Sequence, residues 1–214
     1  YLKTHMPLTA LPYFDEPRYI FVGRDGRDVF MSMWSHWNNF QPALREALNA
    51  DPARVGPRWP PPPDDIQVAF DDWISRASFP WERDGYPFWS HHYHAQTWWD
   101  HRHRENILHV HFADLLDDLD GQMRRIAAFL DIPVDEAVWP SLVESVTFGE
   151  MKKNAATRAP GATKGIWKDP ANFFHKGTNA RWDGVLDRVQ LERYDALIRE
   201  QLEPDLYHWL THQP

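Results

Sequence analysis

One stretch, Arg18–Trp37 (RYIFVGRDGRDVFMSMWSHW), constrains the fold more than any other part of the chain. Tyr19, Ile20, Phe21 and Val22 form a short β-rich apolar run, the kind a buried parallel strand shows. Gly23 ends the run, Arg24 follows, and Asp25-Gly26 breaks the chain. Val29, Phe30, Met33, Trp34 and Trp37 then recur at helical spacing. The order is strand, tight turn, helix, with Arg24 at the strand's C-terminal end and Ser32 about two turns into the helix. In open α/β sheets ligands bind off the C-terminal ends of strands, near helix N-termini whose free N–H groups attract anions. An Arg fork and a Ser hydroxyl flanking such a turn suit one phosphate group. The same residues also allow a surface Arg24–Asp28 ion pair and a helix serine bonded to its own backbone.

The chain has 214 residues, 43% of them hydrophobic and 25% charged, which is enough for one α/β domain over residues 1–214 with a sizeable core. A net charge of −8 argues against a general nucleic-acid partner, so an anion site has to be local. With no cysteine there is no disulfide framework, Cys-based zinc site or thiol nucleophile. No apolar run approaches the ~20 residues of a membrane span. The chain opens at Tyr1-Leu2-Lys3 without a Met, and the expectation is that an N-terminal strand and loop, with any targeting segment, lie upstream.

Along the chain, Tyr1–Pro17 reads as a strand end and a Pro-punctuated loop, and Ala43–Asn49 as further helix. Asp51–Asp65, with Pro60–Pro63, reads as an exposed loop or lid. Helices are expected over Asp64–Ser78 and Phe88–Arg104, with an aromatic loop at Phe79–Pro87 between them. Ile107–Phe112 is the second strand, ending at Ala113-Asp114. Leu119–Leu130 and Gln190–Leu202 are amphipathic helices, and Pro133–Val146 is a helix kinked or broken at Pro140. Thr147–Ala180 reads as a long functional loop, and the residues after Leu202 as a short aromatic tail. Strands alternating with helices give an α/β fold with a central parallel sheet flanked by helices.

Chemistry-bearing residues cluster in three further places. Lys3-Thr4-His5 sets a cation and an imidazole at i, i+2, on one side of an extended segment, where a base and a charge can address one reacting centre. Thr147–Asn154 (TFGEMKKN) is an aromatic followed by cations. His175-Lys176-Gly177 is a basic pair before a Gly that admits close backbone approach. His91, His92, His94, His101 and His103 lack a well-placed third ligand for a metal and read as an imidazole-rich helix lining a pocket or packed in a core.

In order, KTHMPLTALP, YIFVGRDGRDVFMSMW, ILHVHFADLLDD, TFGEMKKN and FFHKG resemble the motif series of the cytosolic-type sulfotransferases. The resemblance spans the whole chain. It implies a P-loop-like three-layer fold and sulfuryl transfer from 3′-phosphoadenosine-5′-phosphosulfate (PAPS), releasing 3′-phosphoadenosine-5′-phosphate, with no metal. The acceptor is a hydroxyl on a small, apolar alcohol or phenol, in a pocket lined by the aromatic segments Phe79–Trp89 and Trp34–Phe40. The resemblance makes His5 the general base and Lys3 the residue that stabilises charge on the transferring group. It matches Arg24 and Ser32 to ligands of the 3′-phosphate, and Phe112, Thr147, Phe148 and Met151 to the adenine site. His175, Lys176 and Gly177 match the terminal phosphate loop, and His94 a histidine of the acceptor pocket. It further implies a cytoplasmic protein with no nucleic-acid or membrane partner.

The chain departs from that pattern in several places. The family's phosphosulfate-binding loop is absent, as in a chain that begins downstream of it. His175 stands for an Arg, Ala180-Arg181 for a Gly-Asp, and Ala113 for a Glu. The family's dimerisation segment is not recognisable between Thr163 and Phe174, which leaves the oligomeric state open. Two alternatives remain at this point: a non-catalytic nucleotide-binding homologue without that loop, and a P-loop small-molecule kinase.

Overall fold

Strands β1 (Tyr19–Gly23) and β2 (Ile107–His111) pair in parallel, Tyr19 opposite Ile107 and Gly23 opposite His111. The computed structural model describes residues 1–212. The strands end side by side, so Arg24 and Phe112 emerge as neighbours. Phe21 and Gly23 are buried, but Ile20 and Val22 are 37% and 52% exposed. The run expected to be buried thus alternates. The aromatic core packs on the Phe21 side, where His94, Trp98 and Trp209 surround that ring.

Helices α1 (Gly26–Asn39) and α2 (Pro42–Ala50) follow β1, and α3 (Ile66–Ser75) and α4 (His91–Trp99) lead into β2. After β2 come α5 (Phe112–Asp117), α6 (Leu119–Phe129), α7 (Trp139–Ser145), α8 (Phe148–Lys153), α9 (Ala155–Arg158), α10 (Arg188–Gln201) and α11 (Pro204–Leu210). Phe30, Phe70, Trp73, Tyr194, Ile198 and Leu206 make the centre of the core, where α1, α3, α10 and α11 meet. No helix among the described residues is long and apolar enough to cross a membrane.

Several expected elements are corrected. Tyr1–Pro17 holds no strand, only a 3₁₀ turn at Leu8–Ala10. Helix α4 begins at His91 rather than Phe88, because the Ser90 hydroxyl accepts the Tyr93 amide at 3.0 Å and caps it there. Phe112 opens α5 instead of closing β2, since the His111 ring accepts the Ala113 amide. Helix α7 starts only at Trp139, with Pro140 in its first turn, where a missing N–H costs nothing. Thr147–Ala180 is not a loop throughout: it carries α8, α9 and two 3₁₀ turns, with Thr147 capping α8. The aromatic tail is α11, and its Trp209 covers Gly23 so closely that a Cβ there would lie 2.2 Å from the indole.

Candidate active site

The turn after β1 is held from behind by α4. His91 Nε2 hydrogen-bonds the Arg24 carbonyl at 3.0 Å. His92 donates from Nδ1 to buried Asp84 at 2.6 Å, and Asp84 also accepts from the Ser90 hydroxyl. His92 Nε2 lies 3.2 Å from the Tyr194 hydroxyl, which meets the Gly26 amide at the start of α1. Asp25 caps α1 through the Arg27 amide and grips the Arg27 guanidinium. That guanidinium lies 3.9 Å over Trp182. The backbone that presents Arg24 is therefore fixed by a buried relay.

The Arg24 guanidinium lies over the Phe112 ring at 4.0 Å. Its Nη2 donates to the Thr178 carbonyl at 3.0 Å and to Asn179 Oδ1 at 3.3 Å, while its buried Nε has no partner. The surface Arg24–Asp28 pair that the spacing allowed is not formed. Asp28 is fully buried and accepts the amides of Ala180 and Arg181, at 3.0 and 3.1 Å. Nor does Ser32 bond its own backbone: its hydroxyl lies 3.5 Å from His36 Nε2, and it is Ser35 that bonds the Met31 carbonyl.

The strap over residues 174–181 brings the other motifs in. A Cβ on Gly177, whose φ is +66°, would meet the Phe148 ring at 2.4 Å, so α8 and the His175–Gly177 loop fit only because that residue is Gly. Phe148 and Phe174 meet edge to face, and Lys152 Nζ donates to the His175 carbonyl at 3.0 Å. Thr147 and Met151 reach this neighbourhood through α8. Lys176 is exposed and forms no ion pair among the described residues.

Lys3 and His5 sit on a segment tied to α4 just beyond them. The Leu8 amide donates to Thr97 Oγ1, and Trp98 Nε1 to the Met6 carbonyl. The His5 ring lies 5.6 Å from Trp89. Trp89 also lines a cavity of about 320 Å³ walled by Met33, Phe40, Trp59, Phe79 and Phe88. Of the two segments expected to line it, Phe79–Trp89 does so. From Trp34–Phe40 only Phe40 does, Trp34 packing edge-on against Trp37 instead.

Electrostatically the site is an excess of cations. Partial burial and then the charge of Lys3 hold the His5 imidazole below its ordinary range. Burial, then His5, holds His94 at about 4 against the opposing effect of the Met6 backbone. Burial holds His36 at about 4, with Arg181 and Lys3 adding to it, which places both those cations near α1. His175 is also lowered, by burial and then by Arg181, Lys176 and Lys152. The nearby carboxylates are already engaged, Asp25 by Arg27 and Asp28 by two amides. In α4, His91 and His92 hold the Arg24 turn, and just beyond the helix His101 bonds the Thr97 carbonyl. Among the described residues no group of three or more acid or histidine side chains could hold a metal ion.

Sequence reasoning missed Asp28 as a buried clamp, His36 as the neighbour of Ser32, and Arg181, which donates to Ser35 Oγ at 3.0 Å. Asp28 and Arg181 carry no local signal, since their partners lie about 150 positions away, as Ala180 does from Asp28; His36 stands four positions after Ser32, a helical spacing that was there to be read.

Residues 1–204 match the sulfotransferase domain family. The glycolipid sulfotransferase of Mycobacterium bovis is 30% identical over 98% of this chain and 68% of its own length. Human sulfotransferase 1C2 is 25% identical over 94% of this chain and 61% of its own. Among solved structures, mouse sulfotransferase SULT7A1 complexed with PAP superposes with a TM-score of 0.71 at 22% identity, covering 97% of this chain and 67% of that one. Retinol dehydratase in complex with androsterone and PAP gives 0.66, over 93% and 52%. The two parallel strands and their helices thus belong to a P-loop-like sulfotransferase fold.

Proposed function

The chain belongs to the sulfotransferase domain family, and on that premise we propose that it moves a sulfuryl group from PAPS to the hydroxyl of a small, apolar alcohol or phenol. Residues 1–214 act as one domain. The observation that carries the reading is the Arg24 turn: a guanidinium stacked on Phe112, bonded to the Thr178–Asn179 strap, and left with a buried, unpartnered Nε. A cationic pocket whose acids are already bonded fits a multiply charged nucleotide. So does the Gly177 cradle beside Phe148, which admits no side chain.

Arg24 and Ser32 would hold the 3′-phosphate. His175, Lys176 and Gly177 would close over it, and Phe112, Thr147, Phe148 and Met151 would hold the adenine. PAPS, when bound, supplies the sulfuryl group and a stable nucleotide as leaving group. His5 takes the proton from the acceptor hydroxyl, and its lowered pKa keeps it unprotonated, and so competent as a base, at neutral pH. Lys3 stabilises the negative charge that develops beside it. Positioning and fixed charge do most of the work in such loose in-line transfers. The apolar cavity ends at Trp89, beside the His5 ring, so an acceptor seated there presents its hydroxyl to the base. A relative named for glycolipids and a neighbour bound to androsterone are in keeping with an apolar acceptor.

Calorimetric titration tests the reading. The protein should bind 3′-phosphoadenosine-5′-phosphate more tightly than adenosine 5′-phosphate. Arg24→Ala should lose about ten-fold or more for the first nucleotide, on the scale of one charge-assisted contact, and little for the second. Equal losses for both would reject the assignment.

A further inference from the structure

Arg181 is the one guanidinium in the site that neither the motif series nor the proposed ligand set uses. The clamp that places it is unusual. Asp28, fully buried in the first turn of α1, accepts two successive amides, those of Ala180 and Arg181. Ala180 turns through the left-handed region at φ +55°, a conformation that is unfavourable for a non-Gly residue and is sustained by that carboxylate. The turn sends the Arg181 side chain back onto α1, where Nη2 donates to Ser35 Oγ at 3.0 Å. Ser35 stands one helical turn past Ser32. The Arg24 guanidinium meets the same strap at Thr178 and Asn179. Along α1, Ser32 therefore lies between Asp28, which holds the strap's backbone, and Ser35, which holds the Arg181 guanidinium.

No carboxylate pairs with Arg181 among the described residues, and the nearest, Asp28, is taken by the two amides. Both guanidiniums are easier to deprotonate than a free one, chiefly through burial, and the charge of Arg181 adds to the effect on Arg24. Arg181 also helps hold His36 and His175 neutral. Like charges gathered this closely are unfavourable unless an anion comes between them. With His175 short of its charge, the other cationic side chains the strap offers are Lys176 and Arg181.

We infer that Arg181 is a second guanidinium ligand of the donor's 3′-phosphate, acting with Arg24 beside Ser32. The inference rests on the PAPS reading of the site. The competing role is a plain tether, in which Arg181 only pins the strap to Ser35, and three variants separate the two. Arg181→Gln keeps a donor for Ser35 and removes the charge, Ser35→Ala removes the tether and keeps the charge, and Arg24→Ala serves as reference. Each is titrated calorimetrically with 3′-phosphoadenosine-5′-phosphate and with adenosine 5′-phosphate.

Arg181→Gln should weaken the 3′-phosphorylated nucleotide by about ten-fold or more and the other by less than about two-fold. Ser35→Ala should change both by less than about three-fold. If Arg181→Gln weakens both nucleotides alike, or neither, while Arg24→Ala stays selective, the role of Arg181 falls and the donor site stands. A wild-type protein that does not distinguish the two nucleotides would overturn both.

Discussion

On helix propensity alone, replacing Gly26 with Ala should stabilise α1 by up to about 1 kcal/mol. The structure reverses the sign. A Cβ at position 26 would lie 2.3 Å from the Tyr194 hydroxyl and 3.0 Å from His92 Nε2. Neither can step aside. Tyr194 is buried, with its ring stacked on Trp73 at 17°, and His92 is buried with Nδ1 2.6 Å from Asp84. Relief has to come from shifting the start of α1, and Arg24 with it, or from parting the Tyr194–His92 bond. Overpacking costs about 1–3 kcal/mol, and a buried polar group left unpaired costs about 1–3 kcal/mol more. Set against the propensity gain of up to about 1 kcal/mol, Gly26→Ala should lose about 1–5 kcal/mol, a fall in melting temperature of roughly 2–20 °C for a domain of this size. Tyr194→Phe removes the clashing oxygen. Alone it destabilises through the lost hydrogen bond, but with Gly26→Ala it should leave a protein at least about 1 kcal/mol more stable than the two losses added. Thermal unfolding followed by circular dichroism reads all three variants. A Gly26→Ala protein that melts at or above wild type, or strictly additive losses, would show that the relay does not hold the turn.

Two further outcomes follow from the titrating groups. Lys3→Met removes the positive charge that helps lower the His5 pKa, so His5 should titrate nearer its ordinary range and the acid limb of kcat/KM should move to higher pH; an unmoved His5 Cε1 proton titration by NMR would refute the pairing. Burial first, then neighbouring cations for His36, or neighbouring histidines for His91 and His94, brings the folded-state pKa of His91 to about 3 and those of His36, His94 and His109 to about 4, each from 6.5. The unfolded chain takes up these protons first, so their share of stability is complete above pH about 6.5 and is lost as pH falls towards about 4. The slope is up to about 1.4 kcal/mol per pH unit for each histidine, and melting temperatures equal at pH 7 and pH 5 would contradict it.

What the residues disclosed on their own follows from the range over which each signal acts. The Arg18–Trp37 unit was legible because apolar periodicity and Asp25-Gly26 are local, and the structure returns it as β1, a capped turn and α1. Asp28 was not. An acid four positions after Arg24 reads as half of a surface pair, and nothing near it reveals two amides arriving from Ala180 and Arg181. Helices α8 and α9, of 6 and 4 residues, are too short to show a period, so Thr147–Ala180 read as loop although Thr147 itself is a cap. Helix α11, of 7 residues, hid in the same way within the short aromatic tail after Leu202. The cavity was half legible: Phe79, Phe88 and Trp89 stood out as aromatics, whereas Trp59 reaches it through the Pro-rich loop, whose path no pattern gives.

The helix that begins at Gly26 has two working faces, which explains why so much structure is spent on fixing its first turn. Asp28, Ser35 and Asn39 are spaced along one face and bond the segment from Asp169 to Arg181, while His36 stacks on Phe173. Met33 and Phe40, on the adjoining face, wall the cavity, and Trp37 donates to the Pro60 carbonyl of the loop beside it. One helix thus separates the strap proposed to hold the donor from the cavity proposed for the acceptor. A shift of its axis cannot move Arg24 and Ser32 without also moving the cavity wall, since a packed core transmits displacement rather than absorbing it. The relay from Asp84 through His92 and Tyr194 to Gly26 therefore sets the strap and the cavity wall together, as the proposed transfer would need in order to keep its in-line alignment.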